Sequence, residues 1–171
     1  MAIEIHDYDP AWPQLAQRAI DEVLAALPGL IAAAEHVGST SVPGLAAKPI
    51  IDLMAATDDL DDVLAADGAL EEIGYRRIDT GIPGRLFYRR DGYHLHVVTT
   101  ASWDTRNQRL LRDHLLRNPA DRDAYARLKR ELAGAGGDID AYTRGKTALI
   151  QRIVDAARAE RGLPKVDVWE E

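Results

Sequence analysis

The sequence contains no cysteine, and this absence excludes disulfide bonds, thiolate metal sites and a cysteine nucleophile. Carboxylate and imidazole groups remain as the side chains with which the protein could bind a metal ion. Long apolar runs are also missing, since no segment approaches the roughly 20 residues of a membrane-spanning helix. The N-terminus lacks the basic and apolar regions of a signal peptide. We therefore expect a cytoplasmic protein without a membrane-embedded segment.

Basic residues are fewer than acidic residues: the sequence has 21 Lys and Arg against 28 Asp and Glu, which gives a formal net charge of -7. Such a balance argues against nucleic acid as a partner, because phosphate backbones favour basic surfaces. The 171 residues suffice for one domain with a buried core and leave little length for a second. We place this domain at residues 1–162 and interpret residues 163–171 as a C-terminal tail. The sequence gives no indication of an oligomeric state.

Hydrophobic periodicity predicts helices at both ends of the chain. An amphipathic stripe predicts a first helix over residues 12–27, and Thr57 begins an acidic helix that runs to about Ile73. Ser102 is the predicted N-cap of the first of the C-terminal helices. Their predicted ranges are 103–117, 120–133 and 139–161.

Short apolar or alternating segments predict strands between these helices. Their ranges are 30–37, 49–56, 75–78, 85–90 and 93–99. The last two segments flank Asp91-Gly92, a strong signal for a β-hairpin. Together the elements predict an α+β protein with a small mixed β-sheet flanked by helices and followed by C-terminal helices.

The segment 37–54 is the part of the sequence that most resembles a functional site. It combines a small-residue turn rich in hydroxyls with a lone lysine and an aspartate inside an apolar strand. Glycine in such a turn lets an anion approach backbone N–H groups closely. Lys48 adds a positive charge that could meet a phosphate or balance Asp52. The candidate phosphate ligands of the turn are Gly38, Ser39, Thr40 and Ser41.

Asp52 and two histidines are the candidate catalytic and metal-binding residues. Asp52 is the single charge of its strand, so it needs a hydrogen-bond donor, a cation or water. Side-chain alternation places His94 and His96 on one face of the second hairpin strand. If the two strands are neighbours, the three side chains form one site that suits zinc, iron, manganese or a polar substrate. The structural alternative is that Asp52 braces the turn through backbone N–H groups.

Two further cationic side chains are candidate phosphate ligands. Lys146 falls within the apolar stripe of the last helix, so it either extends to the edge of the stripe or meets an anionic partner. Arg85 follows a loop of glycine and proline and is a candidate anion clamp. Tyr125 and Lys129 repeat the Tyr-to-Lys spacing of the last helix, but Lys129 lies nearer the flank of its stripe.

The chain resembles the GrpB family, within the nucleotidyltransferase-like superfamily. The segments that carry the resemblance are 8–12 (YDPAW), 36–52, 94–98 (HLHVV), 125–129 and 142–146. The resemblance implies a minimal nucleotidyltransferase fold whose Gly-Ser turn binds a nucleoside triphosphate. In the superfamily, two carboxylates on the next strand and a third on a neighbouring strand hold two divalent ions. Here Asp52 occupies the first position, Met54 the second, and His94 or His96 lies near the third.

The leading hypothesis is an enzyme that binds a nucleoside triphosphate at residues 38–41 and transfers a nucleotidyl group to a small-molecule acceptor, or activates that acceptor. Asp52 would hold a divalent ion (magnesium or manganese, with zinc as an alternative) or orient the nucleophile. His94 or His96 would be the second metal ligand or the general base. The phosphates would be neutralised by Lys48, Arg85 and Lys146.

Two alternatives remain open. Asp52, His94 and His96 could form the transition-metal site of an enzyme that uses no nucleotide. The chain could also be a non-catalytic module that binds a nucleotide or phosphate. The second alternative is favoured by Met54, because a thioether is a poor ligand for magnesium.

Overall fold

A computed structural model describes residues 3–168 of the chain. Within this range no helix is long and apolar enough to cross a membrane. The helices are α1 (Trp12–Ala26), α2 (Leu60–Ala66), α3 (Gly68–Glu72), α4 (Asn107–Arg117), α5 (Pro119–Gly134) and α6 (Ile139–Glu160). The strands are β1 (Ala33–Val37), β2 (Ile51–Thr57), β3 (Arg76–Ile78), β4 (Arg85–Arg90) and β5 (Tyr93–Thr99). These elements confirm the predicted α+β class.

The strands form one five-stranded mixed sheet with the order β1-β2-β5-β4-β3. β2 and β5 run parallel, and their register places Asp52 opposite His94. The other neighbouring strands are antiparallel, including the predicted hairpin of β4 and β5. Because a tight turn cannot join parallel strands, the chain crosses from β2 to β5 through α2, α3, β3 and β4. The structure thus confirms that β2 and β5 are neighbours, a pairing that the sequence alone does not show.

The two faces of the sheet have different partners. On one face, Leu53 and Leu95 are each 1% exposed and pack in one cluster with the buried stripe of α1. Side chains alternate along a strand, so Asp52 and His96 point to the opposite face. There they meet side chains of α4 and α6 across an open space. A second apolar cluster holds the C-terminal helices together and contains Val42, Leu45, Leu115, Tyr125, Ile150, Ile153, Val154 and Val168.

The acidic segment after β2 differs from its prediction. Thr57 is the last residue of β2, and Asp59 caps α2 by accepting a hydrogen bond from a backbone N–H two residues later. The helical segment is interrupted at Asp67, whose carboxylate accepts a hydrogen bond of 3.1 Å from the Tyr88 hydroxyl. The contact between Asp67 and Tyr88 of β4 could not be predicted from the hydrophobic periodicity of residues 57–73. The prediction of one helix from Thr57 to Ile73 was therefore wrong.

Two boundaries in the second half also differ. Ser102 is not the cap of a long α-helix, because it lies inside the 3-10 helix Thr100–Thr105 and donates its N–H to the Thr99 hydroxyl. Val168, in the predicted tail, is only 7% exposed, and its N–H donates to Gln151 Oε1 at 3.1 Å. The tail thus packs against α6 as far as residue 168. One apolar anchor is too little to produce a periodic signal in the sequence.

Candidate functional site

Two adjoining cavities open on the sheet face that carries Asp52. The larger has a volume of about 350 Å³ and is walled mainly by apolar side chains, so we call it the apolar cavity. The smaller has a volume of about 180 Å³ and is lined by Lys48, Lys129 and Lys146, so we call it the lysine cavity. Ser39, Asp52 and Lys146 line both cavities. The candidate site is the place where the two cavities meet.

Gly38 begins the predicted phosphate-binding turn directly after β1. Its backbone angles, φ 75° and ψ -176°, lie in a region that is essentially restricted to glycine. A Cβ atom at this position would lie 2.6 Å from Asp52 Oδ2. The missing side chain therefore allows the turn to pack directly against the Asp52 carboxylate.

The three hydroxyl groups of the turn have different environments. Thr40 is 1% exposed and donates a hydrogen bond of 3.1 Å to the Ile50 carbonyl. Ser41 donates a hydrogen bond to the carbonyl of Gly38. Ser39 lines both cavities. The structure thus brings Ser39 into the candidate site, whereas the side chains of Thr40 and Ser41 hold the turn in shape.

Asp52 lies between the two predicted histidines. His94 Nδ1 and His96 Nε2 are each 3.3 Å from Asp52 Oδ1. Burial alone would raise the pKa of Asp52, but the hydrogen bonds and charges of the two imidazoles outweigh burial and hold that pKa well below its usual range. The Phe87 ring stacks on His96 at a centroid distance of 5.0 Å and meets His94 edge-on at 5.2 Å. An ionised carboxylate therefore holds two imidazoles that are also fixed by an aromatic neighbour.

The side chains around Asp52 do not fit the two-ion centre that the family resemblance implies. Magnesium and manganese prefer oxygen ligands. Met54 stands at the second carboxylate position and is 0% exposed. Within residues 3–168, no group of three or more His, Asp or Glu side chains is arranged to hold a metal ion. The geometry thus gives no support to the predicted metal site at Asp52, His94 and His96.

Glu35 is a second carboxylate on this side of the sheet, and it is already neutralised. It lies opposite Met54 in the register of β1 and β2. Arg109 Nη2 donates to Glu35 Oε1 at 2.9 Å, and Arg112 Nη1 donates to Glu35 Oε2 at 2.6 Å. Burial would raise the pKa of Glu35, but the two arginines lower it instead. Glu35 is therefore engaged in an ion-pair network and does not replace the missing carboxylate.

Lys129 belongs to the candidate site although the sequence-based prediction omitted it. It is 2% exposed, donates a hydrogen bond from Nζ to Ser39 Oγ, and lies 4.3 Å from the centroid of the Tyr125 ring. Burial, and then the positive charges of Lys146 and Lys48, lower the pKa of Lys129 well below its usual value. Lys129 was not predicted as a site residue because it lies at the flank of the apolar stripe of α5. The repeated Tyr-to-Lys spacing was the available signal.

Lys48 and Lys146 both contact the ring of Tyr142. Their Nζ atoms lie 5.2 Å and 4.5 Å from its centroid. Burial, and then the charge of Lys48, lower the pKa of Lys146 to about 8, while the charge of Asp52 acts in the opposite direction. Both lysines were predicted as phosphate ligands, and the fold places both in the lysine cavity.

The apolar cavity offers a different set of contacts. Arg85, the first residue of β4, lines this cavity and not the lysine cavity. Gln108 Oε1 is buried at its wall and has no hydrogen-bond partner within residues 3–168. The apolar part of the wall consists of Val37, Ile82, Leu111, Leu115, Tyr125, Ile150, Val154 and Val168. The other polar or charged side chains of the wall are Ser39, Asp52, His96, Asn107, Arg112 and Lys146. These residues come from several elements, so no single stripe in the sequence predicts the cavity.

Comparison with known proteins agrees with the sequence resemblance. Residues 2–156 match a family model described as GrpB protein. A UPF0157 protein of Halalkalibacterium halodurans is 36% identical over 163 residues, which cover 92% of this chain and 84% of that protein. The crystal structure of the conserved protein GrpB from Enterococcus faecalis has a TM-score of 0.86 at 31% identity, and covers 93% of this chain and 99% of that chain.

A more distant structure confirms the predicted fold. Terminal uridylyl transferase 4 from Trypanosoma brucei, with bound UPU, superposes with a TM-score of 0.51 at 18% identity. The match covers 90% of this chain and 55% of that chain. At such low identity the similarity concerns the fold alone. The chain therefore has a nucleotidyltransferase fold.

Proposed function

The chain belongs to the GrpB family, and from this premise we propose that it is a cytoplasmic enzyme that binds a nucleoside triphosphate. The triphosphate would lie against the turn at residues 38–41 and the lysine cavity. The nucleoside would occupy the apolar cavity. The enzyme would transfer the nucleotidyl group to a small-molecule acceptor, or activate that acceptor as its adenylate.

One observation carries this proposal: a cationic cavity and an apolar cavity meet at Ser39. A nucleoside triphosphate has a similar division, because its ribose carries a polyanionic phosphate chain on one side and a flat, uncharged base on the other. Lysine ammonium groups favour phosphate oxygens. The wall of the apolar cavity combines aliphatic side chains with a few polar groups, among them Arg85, Gln108 and Arg112, which could orient a base. The two cavities thus match the two halves of one ligand.

The Asp52 cluster would supply proton transfer. His96 Nε2 contacts Asp52, and its other ring nitrogen, Nδ1, is buried without a hydrogen-bond partner within residues 3–168. An imidazole whose N–H donates to a carboxylate keeps a lone pair on its second nitrogen, and His94 is held by the same oxygen. One of the two would accept the proton of the acceptor hydroxyl as its oxygen bonds to the α-phosphorus. The bond from that phosphorus to the bridging oxygen breaks, and pyrophosphate leaves toward the lysines.

Replacement of Ser39 by alanine is the first test of the proposal. The hydroxyl lines both cavities and contacts Lys129. Hydrogen bonds to charged groups contribute roughly 1.5–3 kcal/mol, so we expect Ser39→Ala to weaken nucleotide binding about tenfold to a hundredfold. The measurement is a thermal-shift screen of the four ribonucleoside triphosphates, followed by calorimetric titration of any ligand that raises the melting temperature.

The matched control for this test is Ser102→Ala. Ser102 lies in the 3-10 helix after β5 and lines neither cavity. We expect this variant to bind nucleotide like the wild type. The absence of a thermal shift with every nucleotide tested would contradict the proposal.

A non-catalytic nucleotide- or phosphate-binding module is the second candidate. It is favoured by Met54, which occupies the second carboxylate position and is fully buried. A module binds nucleotide but releases no pyrophosphate with any acceptor. Measuring pyrophosphate release and nucleotide affinity on the same preparation separates the two candidates.

Anion binding should depend on pH through Lys146. This side chain shares the lysine cavity with Lys48, Lys129, Asp52 and His94, and also contacts Tyr142. Its pKa is about 8, so it loses its charge as the pH rises above that value. We expect the affinity for tripolyphosphate to fall between pH 8 and 9.5, by at most about tenfold per pH unit for one such group.

The stability of the ligand-free protein should change in the opposite direction. The pKa of Lys146 is about 8 in the folded chain and 10.5 ordinarily, so the unfolded state binds more protons within this window. The contribution of Lys146 to the free energy of unfolding therefore increases as the pH rises from 8 to 10.5. Lys146→Met should reduce both pH dependences. An affinity that stays constant up to pH 9.5 would contradict this assignment.

A further inference from the structure

The sequence contains few lysines, and three of the four line the lysine cavity. The sequence has 17 arginines but only four lysines. Lys48, Lys129 and Lys146 line the lysine cavity, while Lys165 is exposed. The three come from the loop before β2, from α5 and from α6, so only the tertiary fold brings them together.

The lysine cavity has an excess of positive charge. Asp52 is the carboxylate at its wall, and the charge of Asp52 is already shared with His94 and His96. The lysines also disfavour one another, because the charges of Lys48 and Lys146 add to burial in lowering the pKa of Lys129. An anion that enters the cavity would relieve this repulsion and restore the solvation that the ammonium groups have lost.

A divalent cation would have the reverse effect in the same place. It would add two positive charges beside three lysine side chains. Within residues 3–168, no second carboxylate is available to balance it, because Met54 stands at the second position and Glu35 is held by Arg109 and Arg112. The side chains of the lysine cavity therefore favour a metal-free anion over an anion that carries a divalent cation.

We infer that this protein binds the polyphosphate chain of its ligand without a divalent cation, with Lys48, Lys129 and Lys146 supplying the positive charge that two metal ions supply in the carboxylate-rich centres of this fold. The inference rests on the proposed function for the identity of the ligand. It goes further in stating which chemical form of the polyphosphate is bound. The form is the free polyanion rather than its magnesium complex, because the free form offers more negative charge to the three lysines.

The inference makes magnesium a competitor of binding, because magnesium sequesters free polyphosphate in solution. The test is calorimetric titration of the full chain with inorganic tripolyphosphate, once in EDTA and once in excess magnesium. We expect the affinity to be higher in EDTA than in excess magnesium. An affinity in magnesium that equals or exceeds the affinity in EDTA would overturn the inference.

Lysine variants identify the groups responsible. In EDTA, Lys129→Met and Lys48→Met should each weaken tripolyphosphate binding at least tenfold, while Lys165→Met should leave it unchanged. Circular dichroism verifies that each variant is folded, and Lys48→Met serves if the substitution of the buried Lys129 prevents folding. Unchanged binding by a folded Lys48→Met or Lys129→Met variant would count against the inference.

A parallel titration with nucleoside triphosphates distinguishes failure of the inference from failure of the proposed function. Tripolyphosphate binding in EDTA without binding of any nucleotide would support the inference and contradict the proposed function. Nucleotide binding that requires magnesium would support the proposed function and contradict the inference. A chain that binds neither ligand in either condition would contradict both.

Discussion

Replacing Gly38 with alanine should abolish nucleotide and tripolyphosphate binding and destabilise the fold. A non-glycine residue in the backbone region of Gly38 is strained by roughly 1–3 kcal/mol. The new methyl group would also lie 2.6 Å from Asp52 Oδ2, so either the turn or β2 must move. Because the turn carries Ser39, its displacement removes the junction of the two cavities. Urea denaturation measures the loss of stability, and calorimetric titration measures the loss of binding.

Gly29→Ala separates backbone strain from the local overlap. Gly29 has a φ of 76°, close to the 75° of Gly38, and nothing lies within 4 Å of a Cβ atom placed there. We expect this variant to lose stability through its backbone alone and to keep its ligand affinity. Wild-type affinity in Gly38→Ala would show that the turn does not hold the ligand.

Asp52→Asn should leave nucleotide affinity nearly unchanged and lower the rate of pyrophosphate release by about 10²–10⁴-fold, the usual contribution of general acid–base catalysis. The amide keeps the size of the carboxylate but removes the charge that both imidazoles contact. An imidazole without this partner is less well oriented toward the acceptor hydroxyl. Steady-state kinetics with the acceptor that supports turnover separates an effect on kcat from an effect on KM.

Asp140→Asn is the matched control for this substitution. Asp140 is exposed in the first turn of α6 and lines neither cavity. Its replacement should leave both rate and affinity unchanged. An Asp52→Asn variant with wild-type turnover would remove the Asp52 cluster from the reaction and leave the lysine cavity as the functional part of the site.

The sequence predicted the elements that depend on local chemistry. The turn signal Asp91-Gly92 located both strands of the hairpin, and the observed bounds of β4 and β5 are those predicted. Which strands are neighbours in the sheet could not be predicted from the sequence. The parallel pairing of Asp52 with His94 joins residues that are separated by two helices and two strands, and no period in the sequence encodes such a pairing.

The candidate site shows the same division between local and tertiary information. Ser39 could be recognised from its turn, but the inward orientation of Thr40 follows from a hydrogen bond to a backbone carbonyl ten residues away. Lys129 is buried because α5 packs against α6 and the turn, although its own helix places it near the edge of an apolar stripe. Its contact with Ser39 joins positions 90 residues apart. A site residue could therefore be predicted where one segment of the sequence contains the whole motif. It could not be predicted where tertiary packing brings distant segments together.

The position of Val168 shows that packing continues beyond residue 162, where the predicted domain ends. Hydrophobic periodicity stops near residue 162, yet Val168 lines the apolar cavity and is tethered to α6 through Gln151. A chain cut at residue 162 would retain all the helices and strands described here while losing part of the wall of the apolar cavity. A shortened protein with native circular dichroism but weakened nucleotide binding is therefore the expected product of trimming this protein at its apparent domain boundary.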